Sequence, residues 1–321
     1  MAPFDGKTTG REIVAAFSHS VRGKTVLITG ASKGSLGAET AKELASASAS
    51  AKRLIVVGRN ETKVAPVVNE IRELNPEVKV DFVQADLASN ESVRRAAAKL
   101  NSLPGLDHID IVINAAGNMA VRTYQISADG NELQFAANYL GHFLLTNLIL
   151  EKILAAPAST VVNLTSMGYE MGEVNYDDPN FYGGKTYDPW KAYAQAKTAN
   201  ILHVAGLHYK FGDKGLAAFA VHPGYVPESG LQANNEVDTD MMIEGYKLAV
   251  ARNGVKELPP QTPRSLQEGC ATILLAALDS SLRDKSPALL LECNVYPGVK
   301  HYAINADDAE TLWVLGEKLT R

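Results

Sequence analysis

The chain has very little cysteine: two residues in 321, Cys270 and Cys293, far apart and in apolar surroundings. That excludes a disulfide framework, and without a CxxC pair no thiol metal or redox motif is left. Histidine is sparse too. None of the seven falls in an HExxH pattern, and His203 and His208 are five apart, which misses a shared helix face. No metal site is expected. The net charge is -5 with no cluster of Lys and Arg, which argues against nucleic acid or anionic lipid as the main partner. No stretch approaches the ~20 apolar residues that cross a bilayer. The N-terminal MAPFDGKTTGREIVAAF carries scattered charges, unlike a secretory signal. A soluble, cytoplasmic protein is expected, and with neither a long linker nor an internal repeat, a single domain over 1–321.

What is present is alternation. Short β-branched runs at Thr25–Thr29, Leu54–Val57, Val78–Val83, Ile109–Ile113, Thr160–Leu164 and Ala217–Val221 are separated by segments of helical character. The helical segments are Ala38–Ala49, Glu61–Leu74, Ser89–Asn101 and Asn131–Ala155; in the last, Phe135, Leu140, Leu144, Leu148 and Ile149 form an apolar stripe. Strands apolar on both faces, alternating with helices, predict an α/β fold: a doubly wound parallel sheet of about seven strands with helices on both faces. Two stretches interrupt the rhythm, Tyr169–Trp190 and Tyr225–Pro263. Both follow strand ends where open α/β sheets bind ligands, so both are expected to be lids.

The first strand runs into TGASKGSLG, Thr29–Gly37, and then into a helix. Gly30, Gly34 and Gly37 permit a tight turn that brings backbone N–H groups to a pyrophosphate at the helix N-terminus. The third strand ends in QADLAS with Asp86, and the fourth in NAAG, Asn114–Gly117. Three such motifs in order, each at a strand end, resemble the short-chain dehydrogenase/reductase family. One residue more than the usual TGxxxGxG stands before the last glycine. The resemblance implies a Rossmann-type fold, with residues 24–164 mainly binding a dinucleotide and 165–321 carrying the catalytic helix, the lids and the C-terminal region. It places cofactor contacts at Gly30, Ser32, Lys33, Gly34, Leu36 and Gly37, at Arg59, at Asp86 and Leu87, and at Asn114, Ala115 and Gly117. From HPGYVPESGL it adds Pro223, Gly224, Val226 and Ser229, with Glu228 the alternative to Ser229.

A proton-transfer pair stands in KAYAQAKTANILHVAGL. YxxxK occurs three times, but Tyr187/Lys191 and Tyr296/Lys300 enclose Pro189 and Pro297, which block a regular helix. Tyr193/Lys197 lies in an uninterrupted helical pattern, where i,i+4 puts both on one side. A free tyrosine has a pKa of about 10, and reaching neutrality takes about 4 kcal/mol, which a nearby ammonium helps to supply. The family resemblance assigns Tyr193 and Lys197 to proton transfer, Ser166 in VVNLTSMG to orienting the substrate oxygen (Thr165 being the alternative), and Asn138 in FAANYLGHFLL to a water-holding backbone position. Ser166 and Tyr193 are 27 positions apart because of the Tyr169–Trp190 insertion, a feature similar to the retinol-dehydrogenase-like and filamentous-fungal branches.

The second strand ends VVGRN, with Gly58 where NAD-dependent members carry an acid, Arg59 after it, and Lys33 in the turn. A guanidinium binds phosphate through two parallel hydrogen bonds, so NADP is the expected cofactor. The activity implied is reversible oxidoreduction between an alcohol and a ketone or aldehyde, with reduction as the expected direction. Tyr169, Tyr176, Phe181, Tyr182, Met241, Met242 and Tyr246 in the lids point to a small lipophilic substrate, and the fungal branch implies secondary metabolism. The resemblance leaves a homodimer open. Rival readings are a sugar-nucleotide epimerase or dehydratase, for which residues 232–321 are a short C-terminal region, and a non-catalytic dinucleotide sensor, for which the retained Tyr193/Lys197 pair has no use.

Overall fold

The computed structural model describes residues 4–46 and 50–321. Its frame is one sheet in the order β3-β2-β1-β4-β5-β6-β7-β8. In chain order come α1 (Gly10–Ala16), β1 (Thr25–Thr29), α2 (Leu36–Ser46), β2 (Arg53–Gly58), α3 (Glu61–Leu74), β3 (Lys79–Gln84), α4 (Asn90–Asn101) and β4 (Ile111–Asn114). Then follow α5 (Gly141–Leu148), β5 (Ser159–Leu164), α6 (Pro189–Phe211), β6 (Leu216–His222), α7 (Thr239–Asn253), α8 (Leu266–Leu278), β7 (Ala288–Leu291), β8 (Asn294–Val295) and α9 (Ala306–Leu319). Strands β1 to β7 pair in parallel, and the two-residue β8 adds an antiparallel edge that the sequence pattern did not suggest. The helix expected over 38–49 runs to Ser46, and positions 47–49 lie outside the described residues.

Period two in the strands decides the layering. Leu27, Ile55, Val57, Val112, Val161, Ala218 and Ala220 face a core shared with α4, α5, α6 and α9. Val26, Ile28, Leu54, Val56, Ile113, Val162, Phe219 and Val221 face the opposite core, under α1, α2, α3 and α8. In β1, β4, β5 and β6 neither face meets water, which is why these runs are largely apolar. On the first side α9 lies across α6. Trp313 packs edge-on against Phe143 at 5.0 Å, and a Cβ at Gly206 would come within 2.9 Å of the Trp313 ring.

The helix expected over Asn131–Ala155 is broken into pieces. A short turn Leu133–Phe135 leads into a π-helical turn, Ala136–Leu140, before α5; Ile149 leaves helical geometry at φ -109° and ψ 12°, and Leu150–Leu154 resumes. A π turn widens the ladder at one place and is frequent at functional sites. Here it contains Asn138.

The sheet order reverses between β1, which continues toward β2 and β3, and β4, which continues toward β5 and β6. The crevice outside the carboxyl ends at such a switch is where doubly wound folds bind ligands. The glycine turn, Asp86, NAAG, Ser166 and the HPG segment all follow those strand ends. No helix among the described residues is long and apolar enough to cross a membrane, and no group of three His, Cys, Asp or Glu there is arranged to hold a metal ion.

Candidate active site

β1 ends at Thr29, and Gly30 follows with φ +74°. A Cβ on Gly30 would stand 2.6 Å from Ala116 Cα, and one on Gly37 2.7 Å from the Gly30 oxygen, so the turn closes only on bare backbone. Ser35 absorbs the lengthened turn. Its hydroxyl donates to the Gly30 oxygen (2.7 Å) and accepts from Ala38 N (3.2 Å), capping α2. Ser35 thus serves its own turn. Leu36 and Val226 meet over Gly269 of α8, where a Cβ would be 2.7 Å from each, so the HPG segment is seated beside the glycine turn.

The Thr29 hydroxyl accepts from Ala115 N and Ala116 N, both at 3.0 Å, fixing the floor of the crevice. It lies 2.8 Å from His142 Nε2, while His142 Nδ1 lies 3.0 Å from the Asn138 oxygen. A carbonyl can only accept, so Nδ1 carries the hydrogen and Nε2 accepts from Thr29. Burial pushes His142 down to about 4, and the neutral tautomer is the one this network needs. One imidazole therefore ties the cofactor-side floor to the π turn. His142 lies inside the FAANYLGHFLL motif, and its spacing of four from Asn138 was the available signal.

Ser32 is half-buried in the turn, while Lys33, Gly34 and Arg59 are exposed at its mouth. Lys33 N donates to the Lys63 oxygen at 3.2 Å, and Asn60 caps α3 by accepting from Thr62 N at 2.9 Å. The backbones at Lys33 and Arg59 thus both stand beside the N-terminus of α3, an arrangement suited to an anion. Asp86 commits one oxygen to Ala88 N (3.0 Å), and the Leu87 oxygen packs so tightly on Gly141 that a Cβ there would be 2.2 Å away. Asn114 is buried and donates to Asn163 Oδ1 (2.8 Å) and Thr146 Oγ1 (3.3 Å), so its side chain knits β4 to β5 and α5. Gly117 is exposed, and a Cβ on it would be 3.0 Å from Asn138 Oδ1 and 3.6 Å from Lys197 Nζ. Gly224 has φ +86°, with a Cβ 3.0 Å from Arg264 Cγ; Pro223 and Ser229 are half-buried. Glu228 turns away and accepts from Leu266 N, leaving Ser229 as the residue at the Pro227–Ser229 turn. At Gly30, Gly117 and Gly224 an added Cβ would meet Ala116, Asn138 and Arg264, so the backbone stands bare along the strand ends where doubly wound folds bind dinucleotides.

Beside its far end stands the pair on α6. Asp188 caps this helix, accepting from Trp190 N and Lys191 N (2.9 Å each), and Pro189 takes the first position. Tyr193 and Lys197 are both buried, with Nζ 5.5 Å from the Tyr193 ring centroid. Nζ also donates to the Leu164 oxygen at 3.1 Å, which holds the lysine under the crevice. Ser166 and Thr165 differ in their surroundings. Thr165 Oγ1 is buried and donates to the Lys197 oxygen at 2.8 Å, whereas Ser166 stays half-buried, its Oγ accepting from Gly168 N at 3.0 Å. A Cβ on Gly168 would be 3.2 Å from Tyr193 Cε1 and 3.3 Å from Ser166 Oγ, so both groups border one small space. Asn138 is buried; its amide accepts from Asn118 N (2.8 Å) and donates to the Asn118 oxygen (3.0 Å).

Burial pushes Tyr193 up to about 12, with the Ser166 hydroxyl pulling the other way, and draws Lys197 down to about 8. Near neutral pH this pair is a phenol beside an ammonium. His222, buried with Nδ1 unpaired, is lowered to about 4 by burial and by the charges of Arg264 and Lys197, and so stays neutral. Of the other YxxxK pairs, Tyr187/Lys191 is split. Tyr187 donates to the Val121 oxygen at 2.5 Å and accepts from Gln134 Nε2 at 3.1 Å, and Lys191 is exposed.

Of the seven apolar lid residues, only Met241 and Met242 join the cluster around Tyr193, with Met119, Ala120, Met171 and Trp190. Tyr169 is fully buried, accepting from Lys300 N at 3.1 Å, and Tyr176 donates to the Asp308 oxygen at 3.3 Å, so both belong to the body. Tyr182 and Tyr246 face solvent.

Residues 24–240 match the family model described as short chain dehydrogenase. The chain is 37% identical to retinol dehydrogenase 13 of Mus musculus over 274 residues, covering 84% of this chain and 79% of that protein. It is 31% identical to the short-chain dehydrogenase/reductase prx1 of Penicillium roqueforti over 333 residues, covering 99% and 91%. A solved structure of an uncharacterized protein from Mycobacterium Paratuberculosis superposes with a TM-score of 0.68 at 31% identity, covering 93% and 94%. Crevice, buried pair and family match agree: this chain belongs to the short-chain dehydrogenase family, in its retinol-dehydrogenase-like, fungal type, and is an oxidoreductase of alcohol and carbonyl groups that uses a nicotinamide dinucleotide.

Proposed function

We propose that the protein reduces a small lipophilic ketone or aldehyde with NADP(H), using Tyr193 as the proton donor. The observation that carries this reading is the common border of Tyr193 and Ser166 on one small space, with Lys197 beneath. When bound, the nicotinamide supplies the hydride and, once oxidised, a positive charge. The chain's own residues do the rest. Ser166 Oγ holds the substrate oxygen, Tyr193 passes its phenolic proton to that oxygen, and the Lys197 ammonium favours the phenolate left behind. Burial keeps Tyr193 protonated, the state that gives a proton to a carbonyl. Asn138, whose backbone oxygen accepts from His142 Nδ1, is the candidate for holding a water that links Lys197 to solvent.

Lipophilicity is supported by the Met119, Ala120, Met171 and Met241 cluster around Tyr193. NADP is supported by exposed Lys33 and Arg59 at the mouth, with Gly58 where an acid would repel a 2′-phosphate. The crevice draws on residues from 30 to 229, so the chain acts as one unit. A place in secondary metabolism rests on the fungal resemblance alone. The test is steady-state reduction of a ketone and aldehyde panel with either cofactor. NADPH is expected to exceed NADH in kcat/KM by at least ~10-fold, since charged hydrogen bonds contribute ~1.5–3 kcal/mol each; parity, or a preference for NADH, overturns the cofactor assignment.

A further inference from the structure

Trp190 sits in the first turn of α6, three residues before Tyr193, where the Asp188 cap fixes its backbone. Its ring stands edge-on to that of Tyr193, with centroids 6.1 Å apart and an interplanar angle of 84°. On its other side is α7. The indole Nε1 donates to the Met241 oxygen at 2.7 Å, and a Cβ on Gly245 would come within 2.7 Å of Trp190 Cε2 and 2.9 Å of Cδ2. The α7 backbone therefore rests directly on the indole. Of the 15 residues of α7, Met241 and Gly245 are the buried ones, and Trp190 meets both. The ion pairs at the two ends of this helix are at the surface. Asp238 caps it, accepting from Met241 N at 2.9 Å, and pairs with Arg122 at 2.5 Å; Arg252 near its end pairs with Glu173. All four side chains of those ion pairs are more than two-fifths exposed, where such pairs contribute little.

We propose that Trp190 is a specificity-determining residue: it anchors α7 as the cover over Tyr193 and fixes the room left for the substrate beside the phenol. The specificity half of this rests on Tyr193 being the proton donor, whereas the anchoring half does not. Two readouts keep them apart: amide hydrogen exchange in residues 241–247, and the ratio of kcat/KM for 2-naphthaldehyde to that for hexanal with NADPH.

Trp190→Phe retains a ring but loses the Nε1 donor, and exchange in 241–247 should rise about 5-fold, the equivalent of one net hydrogen bond. Trp190→Ala should raise it further and shift the naphthaldehyde-to-hexanal ratio upward by at least ~10-fold, mainly through KM, the scale of pocket discrimination by apolar contacts. Should Trp190→Ala fail to fold, Gly245→Ala presses a methyl on the same ring from the cover side and should raise exchange with Trp190 intact. Wild-type exchange in both Trp190→Phe and Gly245→Ala overturns the anchor. Raised exchange with an unchanged ratio overturns the specificity role. Wild-type protein that oxidises NADPH with neither aldehyde overturns the reading of the site, and exchange still decides the anchor.

Discussion

Arg59 lies directly after the last residue of β2, exposed, with its backbone oxygen held by Gln84 Nε2 at 3.1 Å. The backbone is pinned while the guanidinium is free to meet an anion. Replacing Gly58 by an acid looks like the natural way to invert cofactor preference, but a Cβ there would be 3.0 Å from Val64 Cγ2, so packing would change along with charge. Arg59→Ala is the cleaner probe. It should raise the KM for NADPH about 10-fold or more, the loss of one charge-assisted pair, and leave that for NADH nearly alone. An equal effect on both cofactors would place Arg59 outside the 2′-phosphate site. At this scale the sequence was informative wherever chemistry is local. Tyr193 and Lys197 were legible because their spacing of four is a property of one helix. Ser166 was preferred to Thr165 from its motif, and the bond that Thr165 makes to the Lys197 oxygen, which supports that preference, exists only in the fold. His142 and Trp190 were passed over for the same reason: their partners, Thr29 and Gly245, are distant in the chain.

Glu132 shows what the broken helix over 131–155 does. It is fully buried and caps the turn that leads to Asn138, accepting from Gln134 N at 2.9 Å and Phe135 N at 2.7 Å. Its own N donates to Asn180 Oδ1 at 2.7 Å, joining this turn to the Tyr169–Trp190 insertion. Burial raises its carboxyl to about 7, against the pull of both backbone hydrogen bonds. Between the unfolded value of 4.5 and about 7 the native state keeps a proton that the unfolded chain has released. Stability from this group is therefore complete below the unfolded value and is lost as pH rises through the native one. The loss amounts to about 3 kcal/mol. Glu132→Gln stays neutral throughout, so its stability relative to wild type should climb across that window in urea melts taken at several pH values. A constant difference between the two proteins would show that Glu132 does not titrate there. The π turn and the break at Ile149 were hidden from periodicity because an apolar stripe continues across them. Periodicity was equally silent about contacts of the first insertion, where Tyr169 and Tyr176 pack on the C-terminal region.

Across the whole molecule, the alternation of apolar runs and helices was enough for the sheet, because strands buried on both faces leave no other pattern. The missing edge strand β8 has two residues, too few for any periodicity to register. The candidate site was legible as far as its motifs lie at strand ends; its cover and anchoring depend on contacts between distant segments. The central claim is that this fold binds a nicotinamide dinucleotide and reduces a carbonyl with Tyr193 as the proton donor. Tyr193→Phe tests it most directly, with NADPH affinity from fluorescence titration and turnover of the best carbonyl measured on the same preparation, and Tyr187→Phe alongside. Turnover should fall by ~10²–10⁴ in Tyr193→Phe, the usual contribution of a positioned acid, while NADPH affinity and the Tyr187→Phe rate stay near wild type. Wild-type turnover in Tyr193→Phe would contradict the account.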